Sequence, residues 1–527
     1  MNFDLLIKNG TCYVGDGKPG FTGDVGVRNG KIAAIGKIEN AECGRVVDAS
    51  GKAVAPGFID THSHSDLVAL VEPEVSNKTT QGITLELLGQ DGMSVVPMVP
   101  QYVNAWKKTM AGLEGNYEIE WDCRTVEDYL GRLAQRNLGP NFAFLVPHGN
   151  IRLAVMGLDD RPPTSEEMSK MCGLLEESLD MGAVGMSSAG VYSPSCYAKH
   201  DELVCLLSIL ARRRVPYVIH QRNESYDILS SMDDLKKVMT ASGCHIHFSH
   251  FKLGGKKYAH LFDSVMKKLD EMASQGSVSV DQYPYLAGST MMSVDLPPWA
   301  HDGGTEKVLE RLRDKAMRER MARDIREGVP GWDNFIGYSD IENIYVTFVK
   351  TSKNSDVVGK NLVEVGELRG KDPIEACFDL LLEEDLCVGQ INFFGTESHI
   401  ETIMKHPLQN ICTDGILGEH PHPRVYGAFP RVLGRYVRER KVLDLPTALH
   451  KMTSRPADLL GLKDRGRLAE GYAADIVVFD PDTVLDLATY ENPKQFSAGI
   501  PYVFVNGVCV VDDGTVTKDK AGQVVRA

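Results

Sequence analysis

Between residues 55 and 460, short apolar runs alternate with amphipathic stretches of helical length. That rhythm belongs to βα units stacked on a parallel sheet. Eight runs read as inner strands, ending near His62, Asp91, His148, Ser187, His220, His250, Asp281 and Asp414. The pattern predicts an α/β fold, a (β/α)8 TIM-like barrel whose strands open onto polar residues at the C-terminal mouth. About 130 residues separate the seventh and eighth strands, including a charged helical segment over residues 305–327 between Leu296-Pro297-Pro298-Trp299 and Val329-Pro330-Gly331. This predicts a subdomain inserted around residues 287–350. Outside the barrel, runs such as Leu5-Leu6-Ile7-Lys8 and Ile32-Ala33-Ala34-Ile35 are punctuated by Asn9-Gly10 and Asn29-Gly30. Asn-Gly between such runs signals tight hairpins. Residues 474–480 and 502–511 have the same style. The two ends, residues 1–54 and 461–527, are expected to form one small β-sandwich, since chain termini often lie close together.

Composition narrows the class. The 527 residues are 43% hydrophobic and 24% charged, as in a soluble globular protein, and the net charge is −15 without blocks of one sign. An acidic chain without a basic face argues against nucleic acid as a partner. No stretch reaches the roughly 18 apolar residues of a membrane span, and Met1-Asn2-Phe3-Asp4 lacks the basic start of a signal peptide. The 11 cysteines are odd in number and form no CxxC pair, which fits a reducing compartment. A cytoplasmic location is therefore expected, and homo-oligomer formation is left open.

The chemistry lies at the strand ends. His62-Ser63-His64, followed by Asp66, closes the apolar run that starts at Ala53. Residues two apart on a strand point the same way, so both imidazoles face one point. Pro216-Tyr217-Val218-Ile219-His220 and His245-Ile246-His247-Phe248-Ser249-His250 also end in histidine, and Asn410-Ile411-Cys412-Thr413-Asp414 ends in a carboxylate. Several imidazoles and a carboxylate at one barrel mouth suit Zn²⁺ or another borderline divalent ion.

The order His-x-His, His, His, Asp resembles the amidohydrolase superfamily, and within it the D-aminoacylase (N-acyl-D-amino-acid deacylase) branch. Asp281-Gln282-Tyr283-Pro284-Tyr285, His422-Pro423-Arg424-Val425-Tyr426-Gly427 and Met452-Thr453-Ser454-Arg455-Pro456-Ala457 extend the likeness along nearly the whole chain. The resemblance implies metal-dependent hydrolysis of the amide bond of small N-acyl-D-amino acids. It implies one tight zinc position held by His220, His250 and a ligand from the end of the second strand. It also implies a second, weaker position at His62, His64 and Asp414. Family members carry cysteine at the second strand's end, where this chain reads Gly89-Gln90-Asp91-Gly92. Asp91 is then the expected ligand, preferred to Glu86 deeper in the strand. A carboxylate is harder than a thiolate and shifts preference toward Mn²⁺ or Co²⁺. No lysine ends the third or fourth strand, so the bridging lysine of dihydropyrimidinase-like enzymes has no donor. Those enzymes, isoaspartyl-dipeptidase-like enzymes and a non-catalytic homologue are the competing readings.

On this reading Asp414 is the general base and acid for a metal-activated water. Arg424 is expected to clamp the substrate carboxylate, because guanidinium matches its geometry. Lys252 would assist, and Tyr192 and Tyr283 resemble the family's carboxylate-binding tyrosines. His148 would orient substrate, support the site or simply make a structural hydrogen bond. The segment Ser289-Thr290-Met291-Met292-Ser293-Val294-Asp295 contains no Arg or Lys. It is expected to line a pocket for a neutral or apolar amino-acid side chain, with Met291 and Met292 as its adaptable wall.

Overall fold

The computed structural model describes residues 2–527. Eight parallel strands build the barrel: β1 (Phe58–Asp60), β2 (Ile83–Leu88), β3 (Asn141–Phe144, continued by Val146–Pro147), β4 (Met186–Ala189), β5 (Tyr217–His220), β6 (Ile246–Phe248), β7 (Val278–Gln282) and β8 (Gln409–Ile411). Each pairs with the next in parallel register. All eight are buried along their length, as strands covered on both faces must be. The ring closes beyond the strand ends. Gly415–Ile416 pairs in parallel with Ser63–His64, and the Asp414 N–H donates to the His62 carbonyl at 2.9 Å. The segments that seal the barrel are therefore those that carry the site.

The outer helices follow from apolar spacing. In Phe262–Gln275 the buried residues are Phe262, Val265, Leu269 and Met272, one stripe of a 3.6-residue period. Ser165–Asp180 starts on a capping box, Thr164 with Glu167, which satisfies two backbone donors that the first turn leaves free.

The chain ends meet in one hydrogen-bonded sheet of nine strands. Its central pairing sets Ala53–Pro56, just before β1, antiparallel to Ile476–Phe479. Asn29-Gly30 makes the expected tight turn, with φ of 52° and 73°. Asn9-Gly10 does not. It lies inside the strand Asn2–Cys12, at a shift of register between Ile7 and Gly10. There the Asn9 N–H is taken by Asp24 Oδ1 at 2.9 Å, and a Cβ on Gly10 would stand 2.4 Å from Val54. A bulge that brings two strands close uses the same dipeptide as a hairpin.

Between β7 and β8 a separate small sheet spans Ala287 to Phe393, past the 350 at which the insertion was expected to end. It is three-stranded and antiparallel, with Val388–Phe393 in the centre, between Ala287–Met291 and Ile344–Val349. This region has its own core, including Leu296, Leu309, Met321 and Phe378. The helical segment 305–327 is two helices, because Asp314 is extended (φ −86°, ψ 121°) and its carboxylate accepts the Met317 N–H at 2.9 Å to start the second. Met292 is fully buried in this core, so it forms no part of a substrate pocket. Among the described residues no helix is long and apolar enough to cross a membrane.

Candidate metal centre

Four imidazoles and two carboxylates from five strand ends converge at the barrel mouth. His62 and His64 face each other, Nε2 to Nε2, at 3.3 Å. Asp414 Oδ1 lies 3.5 Å from His62 Nε2 and 3.3 Å from His64 Nε2. Asp91 stands in the middle. Its Oδ2 is 3.7 Å from His62 Nε2, 3.6 Å from His64 Nε2 and 3.9 Å from His220 Nδ1, and its Oδ1 is 3.8 Å from His250 Nε2. Asp91 thus faces both halves of the cluster. Glu86 does not. It sits below, bonded by Ser63 and by Ser65 (2.8 Å) and 3.0 Å from Lys78 Nζ.

Two features mark this cluster as more than packing. Asp91, His250 and Asp414 all have left-handed backbones, with φ of 54°, 37° and 48°. Such conformations cost about 1–3 kcal/mol each and gather at functional sites. Both ring nitrogens of His220, Nδ1 of His62 and Oδ1 of Asp91 are buried without a hydrogen-bond partner. Buried polar atoms are ordinarily paired. Of these, His220 Nδ1 and Asp91 Oδ1 face into the cluster, the kind of unpaired nitrogen and oxygen that a divalent cation satisfies. Residues His62, Asp91 and His250, and likewise His62, His64 and Asp414, bring their ligand atoms within 4.8 Å of one another.

The electrostatics follow from burial against charge. Burial alone would lower His64, but the Asp414 and Glu114 carboxylates outweigh it and push the imidazole up to about 10. Burial would raise Asp414, but the Arg424 guanidinium and the neighbouring histidines hold its carboxyl well below the usual range. Asp91 is likewise held low by its histidines against burial.

Arg424 requires a correction. It is fully buried, and its Nη1 lies 2.8 Å from Asp414 Oδ2 while Nη2 donates to the Ser289 carbonyl at 3.0 Å. It opens the helix Arg424–Arg431, and that turn aims it at Asp414 rather than into the cavity. Its face stacks on Tyr283, 4.5 Å from the ring centre. The cation that does line the cavity is Lys252, together with Tyr192 and Tyr283. The Tyr192 hydroxyl pairs with Thr290 Oγ1 at 2.6 Å. His148 is held by Glu202 at 2.8 Å and Ser188 at 2.9 Å, a buried structural group. Asp66 supports the site indirectly, because its Oδ1 accepts the Gly89 N–H at 3.0 Å and so shapes the turn that carries Asp91.

Three buried charged residues beside the cluster escaped the sequence reading. Glu114, at the end of Val103–Glu114, reaches His64 Nδ1 at 3.3 Å. Glu224 lies beside His220 and His250; a His-x₃-Glu spacing was the only signal. Lys78 sits in the barrel floor with no exposed surface, its Nζ 2.7 Å from Asp60, 2.8 Å from Ser63 and 2.9 Å from Thr413. It ties the His-x-His segment to the residue before Asp414. Replacing Lys78 with Met should destabilise the fold by about 3–5 kcal/mol in urea unfolding, since Asp60 and Glu86 would be left as uncompensated buried charges. An unchanged midpoint would remove Lys78 from this role.

The Amidohydrolase family profile matches residues 45–511. An N-acyl-D-glutamate deacylase of Alcaligenes xylosoxydans xylosoxydans is 34% identical over 99% of this chain and 96% of its own. A D-aminoacylase of the same organism is 33% identical over 99% and 97%. The crystal structure of N-acyl-D-glutamate deacylase from Bordetella bronchiseptica, complexed with zinc and a phosphonate that mimics the tetrahedral intermediate, is similar at TM-score 0.85 and 32% identity, covering 100% of both chains. The L-hydantoinase of Arthrobacter aurescens shares the fold, with TM-score 0.56 and 15% identity over 100% of both chains.

Proposed function

The chain belongs to the amidohydrolase family, and from that premise we propose that it hydrolyses the amide bond of N-acyl-D-amino acids, releasing a carboxylate and a free D-amino acid. The observation that carries this reading is the clustering of His62, His64, Asp91, His220, His250 and Asp414 at one barrel mouth, with polar atoms left unpaired among them. His220, His250 and Asp91 would hold the tight divalent ion, with His62, His64 and Asp414 as the second position. When bound, the ion supplies Lewis acidity toward the scissile carbonyl and lowers the pKa of a water to roughly 7.

The protein's own groups do the rest. Asp414, ionised beside Arg424, accepts the water's proton and returns it to the leaving nitrogen. Lys252 is the ammonium that meets the substrate's α-carboxylate, and the Tyr192 and Tyr283 hydroxyls orient it. The walls are neutral: Leu113, Phe335, Tyr338, Phe394 and Ile416 line the same cavity. They exclude water and favour an uncharged amino-acid side chain. Met291 lines the adjoining cavity with Met93 and Val191, next to the shared Tyr192.

The test is release of free amine from N-acetyl-D-methionine, N-acetyl-L-methionine and N-acetyl-D-methioninamide by the zinc-loaded protein. The D-acid should be turned over, the L-acid should not, and the amide should show a sharply raised KM with a smaller change in kcat. Turnover of a hydantoin or an isoaspartyl dipeptide with none of the D-acid would move the chain to another branch of the family.

A further inference from the structure

His220 and His250 are each flanked on both sides. Their inner nitrogens, Nδ1 of His220 and Nε2 of His250, face Asp91 at 3.9 and 3.8 Å. Their outer nitrogens face a single carboxylate. Glu224 Oε1 lies 3.2 Å from His250 Nδ1, and Glu224 Oε2 lies 3.7 Å from His220 Nε2, close enough to act on that ring by its charge but too far for a hydrogen bond as the groups stand. Glu224 is almost fully buried, so this carboxylate is not there for solvent. A neutral imidazole carries one N–H and one lone pair. To offer the inner lone pair to a cation, each ring must keep its proton on the outer nitrogen, and an acceptor placed there selects that tautomer. Resting on the metal-centre reading above, we propose that Glu224 is the positioning residue that sets the tautomer and orientation of both His220 and His250.

Lys252 decides between this role and direct ligation. His220, Glu224 and His250 could by spacing alone hold an ion of their own. Lys252 Nζ already stands there, 2.6 Å from Glu224 Oε2 and 2.8 Å from His250 Nδ1. A second cation on that face would meet an ammonium at contact distance. As the groups stand, His250 Nδ1 accepts from the Lys252 ammonium. Once His250 Nε2 is engaged by a cation, the proton must sit on Nδ1, where Glu224 Oε1 at 3.2 Å is its acceptor. The ammonium must then turn to Glu224 Oε2 and to the His250 carbonyl, now at 3.1 Å. Glu224 thereby also holds the cation that faces the substrate.

The backbone that carries the carboxylate is itself fixed. Asp333 Oδ2 accepts the Glu224 N–H at 2.9 Å, and Asp333 Oδ1 takes the Ser225 hydroxyl. Asn223 Oδ1 accepts the N–H groups of Ser225 at 3.0 Å and Asp227 at 2.9 Å. Asp333 belongs to the inserted subdomain, so the insertion clamps the loop that orients the two histidines. The pattern recurs across the site, where Glu114 stands at 3.3 Å from the outer nitrogen of His64.

Glu224→Gln and Glu224→Asp test this in the full-length protein. Zinc affinity is read by competition with a chromogenic chelator, and coordination by the visible spectrum of the Co²⁺-substituted protein. Glu224→Gln should lose about 10–100-fold in zinc affinity, the usual cost of an outer partner. The zinc stoichiometry at saturation and the cobalt band positions should match wild type, as should the melting temperature of the metal-free protein. Glu224→Asp should recover part of the affinity. Wild-type affinity in Glu224→Gln overturns the proposal, and so do displaced cobalt bands, which would make Glu224 a ligand. A drop in metal-free stability that accounts for the weakened binding also overturns it. Wild-type protein that binds no zinc would bring down the metal-centre reading itself, which is a different result.

Discussion

Asp414→Asn should lower kcat on an N-acyl-D-amino acid by about 10²–10⁴-fold, the usual contribution of a positioned proton carrier. The amide keeps the size of the carboxylate but can neither take the water's proton nor hand it on. The surroundings make this role specific. Asp414 Oδ2 is paired with Arg424 at 2.8 Å, while Oδ1 faces His62 and His64. Burial opposes ionisation, but the guanidinium and imidazoles win, so the carboxyl is held well below the ordinary range. At neutral pH it is therefore unprotonated in the resting protein, and the proton it later carries comes from the attacking water. A carboxylic acid held that low gives its proton readily to the leaving nitrogen. Zinc at the His220, His250 and Asp91 position should remain, while the melting temperature should fall, because the buried Arg424 guanidinium loses its carboxylate. Steady-state kinetics beside metal analysis check this, and turnover within tenfold of wild type would strip Asp414 of the role.

The barrel was legible because its strands are buried on both faces and so read as unbroken apolar runs, each closing on a polar residue. The His-x-His pair was legible because a strand's period of two puts both rings on one side. What escaped depends on contacts between distant segments. The end of the insertion was missed because its central strand, Val388–Phe393, comes last in the chain and pairs with an edge strand, Ala287–Met291, that comes first. Arg424 was expected to face the substrate carboxylate, whereas it pairs with Asp414. Whether a guanidinium points at substrate or at Asp414 is set by the first turn of the helix Arg424–Arg431, not by its distance from the strand. Lys78 was overlooked because lysine was sought at the ends of the third and fourth strands, whereas this one lies buried beneath the site and neutralises Asp60 and Glu86.

Asp91→Ala should abolish activity and weaken divalent-metal binding by more than the 10–100-fold typical of an outer partner. Asp91 faces all four imidazoles, at 3.6–3.9 Å, and its removal leaves that cluster without its central anion. Two imidazoles would then lose an anion that favours their protonated forms. Asp91 contributes to the raised proton affinity of His64 and of His250, the latter pushed up to about 9 against burial and Lys252. Without it those rings would give up protons more readily, yet the cation would find only neutral donors on the His220 side. Asp91→Cys separates charge from identity. A thiolate restores the anion with a softer donor, so this variant should bind zinc and should prefer it over manganese more strongly than wild type does. Chelator competition with both metals on the three proteins measures the ratio. Wild-type metal content in Asp91→Ala, or an unchanged zinc-to-manganese preference in Asp91→Cys, would place the metal's third ligand elsewhere. The left-handed backbone at Asp91 would then lose the explanation that ligation gives it.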